Sequence, residues 1–308
     1  VTRYLVTGAS GLLGLNMSLW LSQTHTVIGA IRQPELTGIP FEAIVTDLAE
    51  KGAAERLVEQ AKPDVIIHCA AMAIVDDCES QPELARQVNG DLPGELAALA
   101  VKRGIPMVHI STDAVFDGEK GNYKEEDAPH PLSVYARTKL AGEQSVALAN
   151  PQAIIARVNF YGFSLHGKRS LGEFFVNSLA AGQPVNGFTD VQFCPLFVLD
   201  LSSILVEMVE KNLHGLYHVV SSEALSKYEF AVRIARKFGL DEHLISPISV
   251  LQSGLKAARS PNLTLVTGKL RAAFGHPTPD QDAGLEKFHQ VYCNGYVQKL
   301  MSYASQTR

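Results

Sequence analysis

The stretch RYLVTGASGLLG, residues 3–14, opens the reading. Arg3 to Thr7 is a short β-rich run, and the residues from Gly11 onward have helical spacing, with Leu12, Leu15 and Leu19 on one side. Between them Gly8, Gly11 and Gly14 form a GxxGxxG turn. Missing side chains permit a tight turn and let the backbone approach a pyrophosphate. The helix N-terminus beyond it presents unpaired N–H groups and a partial positive charge. A glycine motif alone is weak evidence, and its place between a strand and a helix is what gives it weight. Gly8, Ser10, Gly11, Leu12, Leu13 and Gly14 are therefore candidate dinucleotide-binding residues.

Outward from this turn the chain alternates strands and helices. Strands are expected at 26–31, 42–45, 64–68, 106–110 and 153–157. Helices are expected at 51–61, 82–103 and 131–149, with Pro82 in the first turn of the second and Gly104 just past its end. The alternation predicts an α/β fold, a Rossmann-like doubly wound parallel sheet with helices on both faces. The runs VIIH and MVHI are apolar without alternation, as doubly covered parallel strands require. After about residue 160 strands become sparser. Two helices remain clear, 200–211 and 226–238, the latter with Ser226 and Glu229 in capping-box spacing and Gly239 as its stop. The expected division is a dinucleotide-binding domain over 1–160 and a smaller C-terminal α/β substrate-binding domain over 161–308. Whether the second half sends strands back to the first sheet is left open.

Of 308 residues, 46% are hydrophobic and 19% charged, with a net charge of −5, which suits a folded core and not a disordered chain. No basic stripe with interleaved aromatics appears, so nucleic acid is not an expected partner. The four cysteines form no CxxC pair and no metal-ligand spacing, a usage that suits a reducing cytosol. No apolar run approaches the roughly 20 residues needed to span a bilayer. A strand pattern begins at Arg3 without a charged leader and long apolar stretch, so a signal peptide is not expected. The expectation is a cytoplasmic protein without membrane partners.

The end of the second strand reads Gly29-Ala30-Ile31-Arg32. An NAD site usually carries an acid there to bond the ribose hydroxyls, whereas Arg32 would attract a 2′-phosphate. NADP(H) is thus expected over NAD(H), against the simpler reading of Arg32 as a solvated loop charge. Asp47-Leu48 follows the third strand, where the carboxylate either accepts from the adenine amino group or caps the next helix. Ala70 and Ala71 follow the fourth strand and are small enough to let adenosine lie near the sheet edge.

Tyr135 and Lys139 share one helix face at i,i+4. A phenol is a poor acid–base group near neutrality, and a neighbouring ammonium lowers its pKa. Lys139 would also reach the nicotinamide ribose. Ser111-Thr112-Asp113 directly follows the strand 106–110, at the end where open α/β sheets bind ligands. A hydroxyl there, Thr112 first and Ser111 second, would bond a substrate carbonyl. Together the hydroxyl, Tyr and Lys suit hydride transfer at a carbonyl carbon. His68 and His109 read as satisfied core histidines, and Gly167-Lys168-Arg169 as a solvated basic loop.

With these residues in place the chain resembles the extended short-chain dehydrogenases/reductases, and within them it is similar to the dTDP-4-dehydrorhamnose reductase group. The likeness rests on TGASGLLG (7–14), CAAMAIVDDCESQPE (69–83), ISTDAVFDG (110–118), YARTKLAGE (135–143), RVNFYG (157–162) and ARSPNLTLVTGKL (258–270). It implies NAD(P)H-dependent reduction of a nucleotide-linked 4-keto-6-deoxy sugar, with Tyr135 giving the proton, Lys139 tuning it and Thr112 polarising the carbonyl. It further implies that Asn89 helps shape the substrate site, that Asp113 faces the sugar, that Phe160 stacks on sugar or base, and that Arg259 holds the phosphates. For Phe160 and Arg259, core packing and a surface ion pair are the plainer alternatives. A homodimer is the assembly the superfamily suggests.

The departures carry information. The reductases often read STDYVFDG, and Ala114 stands where that Tyr would be. The acid that follows Thr-Asp in 4,6-dehydratases is absent. Leu15-Asn16 occupies the place of a carboxylate that holds a metal in some relatives, so no required metal is expected. Two other functions fit the resemblance: a non-catalytic regulatory subunit of the methionine adenosyltransferase β type, and a sugar-nucleotide epimerase with tightly held NAD.

Overall fold

The computed structural model describes residues 1–252 and 260–304. Seven strands form one parallel sheet: β1 (Arg3–Thr7), β2 (Thr26–Ile31), β3 (Glu42–Val45), β4 (Val65–His68), β5 (Met107–Thr112), β6 (Ile154–Val158) and β7 (Gly215–Val219). Their order is β7-β6-β5-β4-β1-β2-β3. The chain runs outward from β1 through β2 and β3, then crosses back to β4 on β1's other side. That reversal opens a crevice at the carboxyl ends of β1 and β4, the usual ligand position in this architecture.

Successive strand residues point to opposite faces, and both faces are covered. Val6, Ile67, Val108 and Ala156 pack on one side in a core that includes Leu15 and Met17 of α1 (Leu12–Leu21) and Leu201 and Leu205 of α6 (Val198–Glu210). Leu5, Ile28, Ile66 and Ile155 pack on the other, with α2 (Ala53–Ala61), α3 (Leu92–Arg103) and α4 (Val134–Ala149) supplying Leu57, Leu96 and Val146. Helix α1 is buried from Leu13 through Leu19, which explains a sequence apolar on nearly every side.

Three expected elements change. The single helix over 82–103 is instead a short helix Pro82–Arg86, a π-helical turn Gln87–Asp91, and α3, and a further short helix, Val75–Ser80, precedes them. Pro93 sits in the first turn of α3 and has no N–H to offer the carbonyl four residues back, so the regular ladder cannot pass through this point. Strand β5 runs past Ile110, so Ser111 and Thr112 are its last residues and do not follow it. Helix α4 begins at Val134, with Ser133 accepting from the Ala136 N–H at 3.1 Å, and Pro131 lies outside it.

The chain leaves the sheet after Val158 and returns as β7, which pairs with β6 from Gly215↔Ile154 to Val219↔Val158. Residues beyond 160 therefore contribute to the central sheet and do not stand apart from it. Between the two passages lie α5 (Leu171–Ala180) and α6, and after β7 come α7 (Lys227–Phe238), α8 (Gln281–Cys293) and α9 (Tyr296–Ser302). The capping boxes Ser170/Glu173 and Ser226/Glu229 start α5 and α7, and Gly239 ends α7 at φ 66°. Tyr161, Phe163, Phe175, Phe197, Phe230 and Phe288 join this part to the main core.

Candidate active site

The glycine turn is built against the end of β4. Gly8 has φ 65°, and a Cβ there would lie 2.8 Å from both Cα and N of Ala70. A Cβ on Gly14 would fall on the carbonyl oxygen of Gly8. Thr7 Oγ1 accepts from the Ala70 N–H at 3.1 Å and lies 2.7 Å from His68 Nδ1, so β1 and β4 are pinned together below the crevice. Gly11 caps α1 without a side-chain hydrogen bond, and no acid occupies the first turn. The first N–H groups of α1 thus have no competing carboxylate. Ser10 and Leu12 are half-buried beside them, and Leu13 and Gly14 are buried. The donor set and the missing Cβ atoms fit a dinucleotide pyrophosphate.

Arg32 stands exposed at the end of β2 and makes no hydrogen bond or ion pair among the described residues. Asp47 is exposed, and its Oδ1 accepts from the Ala49 N–H at 2.9 Å, closing a local turn; the next helix starts at Ala53 behind Gly52, so Asp47 is not its cap as one expectation had it. Leu48 packs on the core. Ala70 and Ala71 lie at the carboxyl end of β4, half-buried and exposed respectively.

Helix α4 brings Tyr135 and Lys139 to Thr112 at the end of β5. The Tyr135 phenol is pushed up to about 12 by burial, while the Thr112 hydroxyl beside it pulls the other way. Lys139 is brought down to about 8 by burial, with Glu143 opposing. This corrects the expectation that Lys139 depresses the phenol. The ammonium donates instead to the Ile110 carbonyl at 2.6 Å, and desolvation dominates both groups. Tyr135 is held as a firmly protonated donor.

The two candidate hydroxyls have different partners. Ser111 donates to Glu143 Oε1 at 2.5 Å inside the core. Thr112 Oγ1 accepts from the Ala114 N–H and donates to Asp113 Oδ1, both at 3.1 Å. Asp113 is only 4% exposed, and its other oxygen accepts from Asn159 Nδ2 at 2.5 Å. Burial raises its pKa, and Asn159, Thr112, Lys227 and the Ala114 N–H resist that rise. Asp113 therefore braces Thr112 from beneath rather than lying open to a sugar. Asn89 is fully buried: its amide bonds both the N–H and the C=O of Met72, at 2.8 and 3.0 Å, and also Thr138 Oγ1. It shapes the crevice by holding the loop after β4. Phe160 is half-buried against the main core, and Arg259 lies outside the described residues.

His68 and His109 are paired across β4 and β5, with ring centroids 5.4 Å apart. They are core residues as expected, but not satisfied ones. His68 Nε2 and both ring nitrogens of His109 have no hydrogen-bond partner among the described residues. Burial takes His68 down to about 3 and His109 well below the ordinary imidazole value.

The chain matches the RmlD substrate binding domain family over residues 2–293. It belongs to that family. It is 36% identical over 296 residues to the probable low-salt glycan biosynthesis reductase Agl14 of Haloferax volcanii, with 93% of this chain and 98% of that protein covered. It is 33% identical over 298 residues to methionine adenosyltransferase 2 subunit beta of Pongo abelii, covering 90% and 84%. The dTDP-4-dehydrorhamnose reductase of Bacillus anthracis, solved in complex with NADP, superposes with a TM-score of 0.81 at 25% identity, covering 94% and 98%.

In this RmlD-family chain two site groups escaped sequence reading. Glu143 follows Lys139 by one helical turn and takes Ser111 and Arg157 at once. The spacing Tyr135, Lys139, Glu143 was a readable signal. Asn159 had none, because its partner Asp113 is 46 residues away in the chain.

Proposed function

We propose that this protein is an NADPH-dependent reductase of a nucleotide-linked 4-keto-6-deoxy sugar, akin to dTDP-4-dehydrorhamnose reductase. The observation that carries the reading is the convergence of Thr112, Tyr135 and Lys139 at the end of β5 beside the glycine cradle of β1. When bound, the reduced dinucleotide supplies a hydride to the carbonyl carbon. Tyr135 holds the proton that the carbonyl oxygen takes up, so the ketone becomes an alcohol with one hydride and one proton added. Thr112, braced by Asp113, presents a hydroxyl at the same place, and buried Lys139 keeps a cation below the reacting oxygen.

NADPH is preferred in this reading because Arg32, which has no ion-pair partner among the described residues, stands where an NAD site would carry an acid. The four free cysteines suit the cytosol, and a homodimer is the assembly the resemblance implies. Among the described residues no helix is long and apolar enough to cross a membrane. A regulatory subunit of the methionine adenosyltransferase type has relatives of similar identity, yet the gathered hydroxyl, phenol and ammonium favour an enzyme. The test is NADPH turnover with a panel of nucleotide-linked 4-keto-6-deoxy sugars. Turnover supports the reductase. Absence of turnover together with tight binding to a methionine adenosyltransferase catalytic subunit overturns it.

A further inference from the structure

The loop after β2 carries Arg32 and, three residues on, Glu35. One sign attracts a 2′-phosphate and the other repels it, so the path of this loop decides which the cofactor meets. The C-terminal segment holds that path. The Thr37 N–H donates to the Tyr303 carbonyl at 2.8 Å, and Leu36 forms an antiparallel bridge with Ala304. Leu300 of α9 is fully buried in the main core and Tyr303 is 8% exposed, with Leu36, Ile39 and Phe41 packed against the same cluster.

The contacts continue to the glycine turn. The Phe41 ring lies over Gly29 of β2, where a Cβ would meet Phe41 Cε2 and Ala9 Cβ, each at 2.7 Å. Ala9 N–H in turn donates to the Ala30 carbonyl at 3.1 Å. The same helix also reaches α1. Tyr296 donates to Asn16 Oδ1 at 2.8 Å, and Asn16, itself fully buried, spans Leu12 O and Phe163 O at 2.7 and 2.9 Å. One segment near the end of the described chain thus touches both elements expected to hold the dinucleotide.

We propose that α9 with Tyr303 and Ala304 is a clip that sets the cofactor's adenosine-phosphate end, fixing the 32–41 loop so that Arg32, and not Glu35, meets the 2′-phosphate. This rests on the NADPH reading of Arg32. The segment is a positioning element, since none of its described contacts is with Thr112, Tyr135 or Lys139.

The experiment uses the full chain with Thr37→Pro, which deletes the N–H given to Tyr303, and separately with the milder Leu36→Ala. NADPH and NADH dissociation constants are titrated by fluorescence, with kcat at saturating NADPH and Tm alongside. In Thr37→Pro the NADPH Kd rises about fivefold, the worth of one such hydrogen bond. The NADH Kd moves less, so the preference narrows, and saturated kcat holds. Leu36→Ala shifts the preference in the same direction and decides the matter if the proline variant does not fold. Unchanged NADPH affinity, whatever Tm does, overturns the clip, and so does an equal loss for both cofactors. A wild-type chain that binds NADH as tightly as NADPH overturns the Arg32 reading instead, which the same titrations show separately.

Discussion

Glu143 and Arg157 form a two-pronged ion pair in the core, with Nε to Oε1 at 2.9 Å and Nη2 to Oε2 at 2.8 Å. Their side chains are only 7% and 3% exposed. The pair ties the helix that carries Tyr135 and Lys139 to strand β6. Phe116 lies 4.9 Å from the guanidinium on a third side, and Ser111 of β5 donates to the same carboxylate. Removing one member of such a pair leaves a buried charge without its partner. Glu143→Gln is therefore expected to lower the unfolding free energy by about 3–5 kcal/mol, read from urea unfolding. An unchanged midpoint would show that the pair is not what joins α4 to the sheet.

Three buried histidines predict how the fold responds to acid. His68 and His218 are taken down to about 3 and His109 well below 6.5, each chiefly by burial. A depressed folded-state pKa means that the unfolded chain binds protons first as pH falls. Stability is then complete above about 6.5 and is lost from there down toward 3, at about 1.4 kcal/mol per pH unit for each histidine. Unfolding curves between pH 7 and pH 4 measure the slope, and His109→Phe should flatten it. A wild-type chain equally stable across that range would contradict the burial of these rings.

Activity should fail on the alkaline side. Lys139, brought down to about 8, loses its charge as pH rises through that value, whereas Tyr135, at about 12, keeps its proton throughout. The reductive kcat/KM is expected to be level near neutrality and to fall tenfold per pH unit above about 8. A profile still level at pH 10 would remove Lys139 from the reaction.

Much of this was legible in the amino-acid order, and the illegible parts share a cause. The first three strands match their expected bounds because each is a local apolar run closed by polar or glycine residues. The break at Gln87–Asp91 was signalled by Pro93, which a helical count of apolar positions passes over. Strand β7 was not legible, since GLYHV becomes a strand of the central sheet only by pairing with β6, 61 residues earlier in register. The same holds in the site. Tyr135, Lys139 and Thr112 announce themselves through helical spacing and a strand end. What braces them, Asn159 on Asp113 and Arg157 on Glu143, exists only once distant segments meet.

Arg32 gives the sharpest cofactor prediction. It has no partner among the described residues, so its replacement should cost little stability. Arg32→Ala is expected to raise the KM for NADPH by about tenfold or more, the loss of one charge-assisted contact to phosphate, and to leave the KM for NADH nearly unchanged. Steady-state kinetics with both cofactors decide it, and equal effects on the two would show that Arg32 does not discriminate between them.

The central claim is net hydride transfer to a sugar carbonyl with Tyr135 as the proton source. It is tested most directly with NADPH deuterated at the transferring position of nicotinamide C4 and a dTDP-linked 4-keto-6-deoxy sugar, the product read by mass spectrometry and NMR. The expected result is one deuterium on sugar C4 for each NADPH consumed, and loss of that product in Tyr135→Phe while NADPH still binds with wild-type affinity. Cofactor returned unconsumed, a product without deuterium, or full turnover by Tyr135→Phe would contradict it.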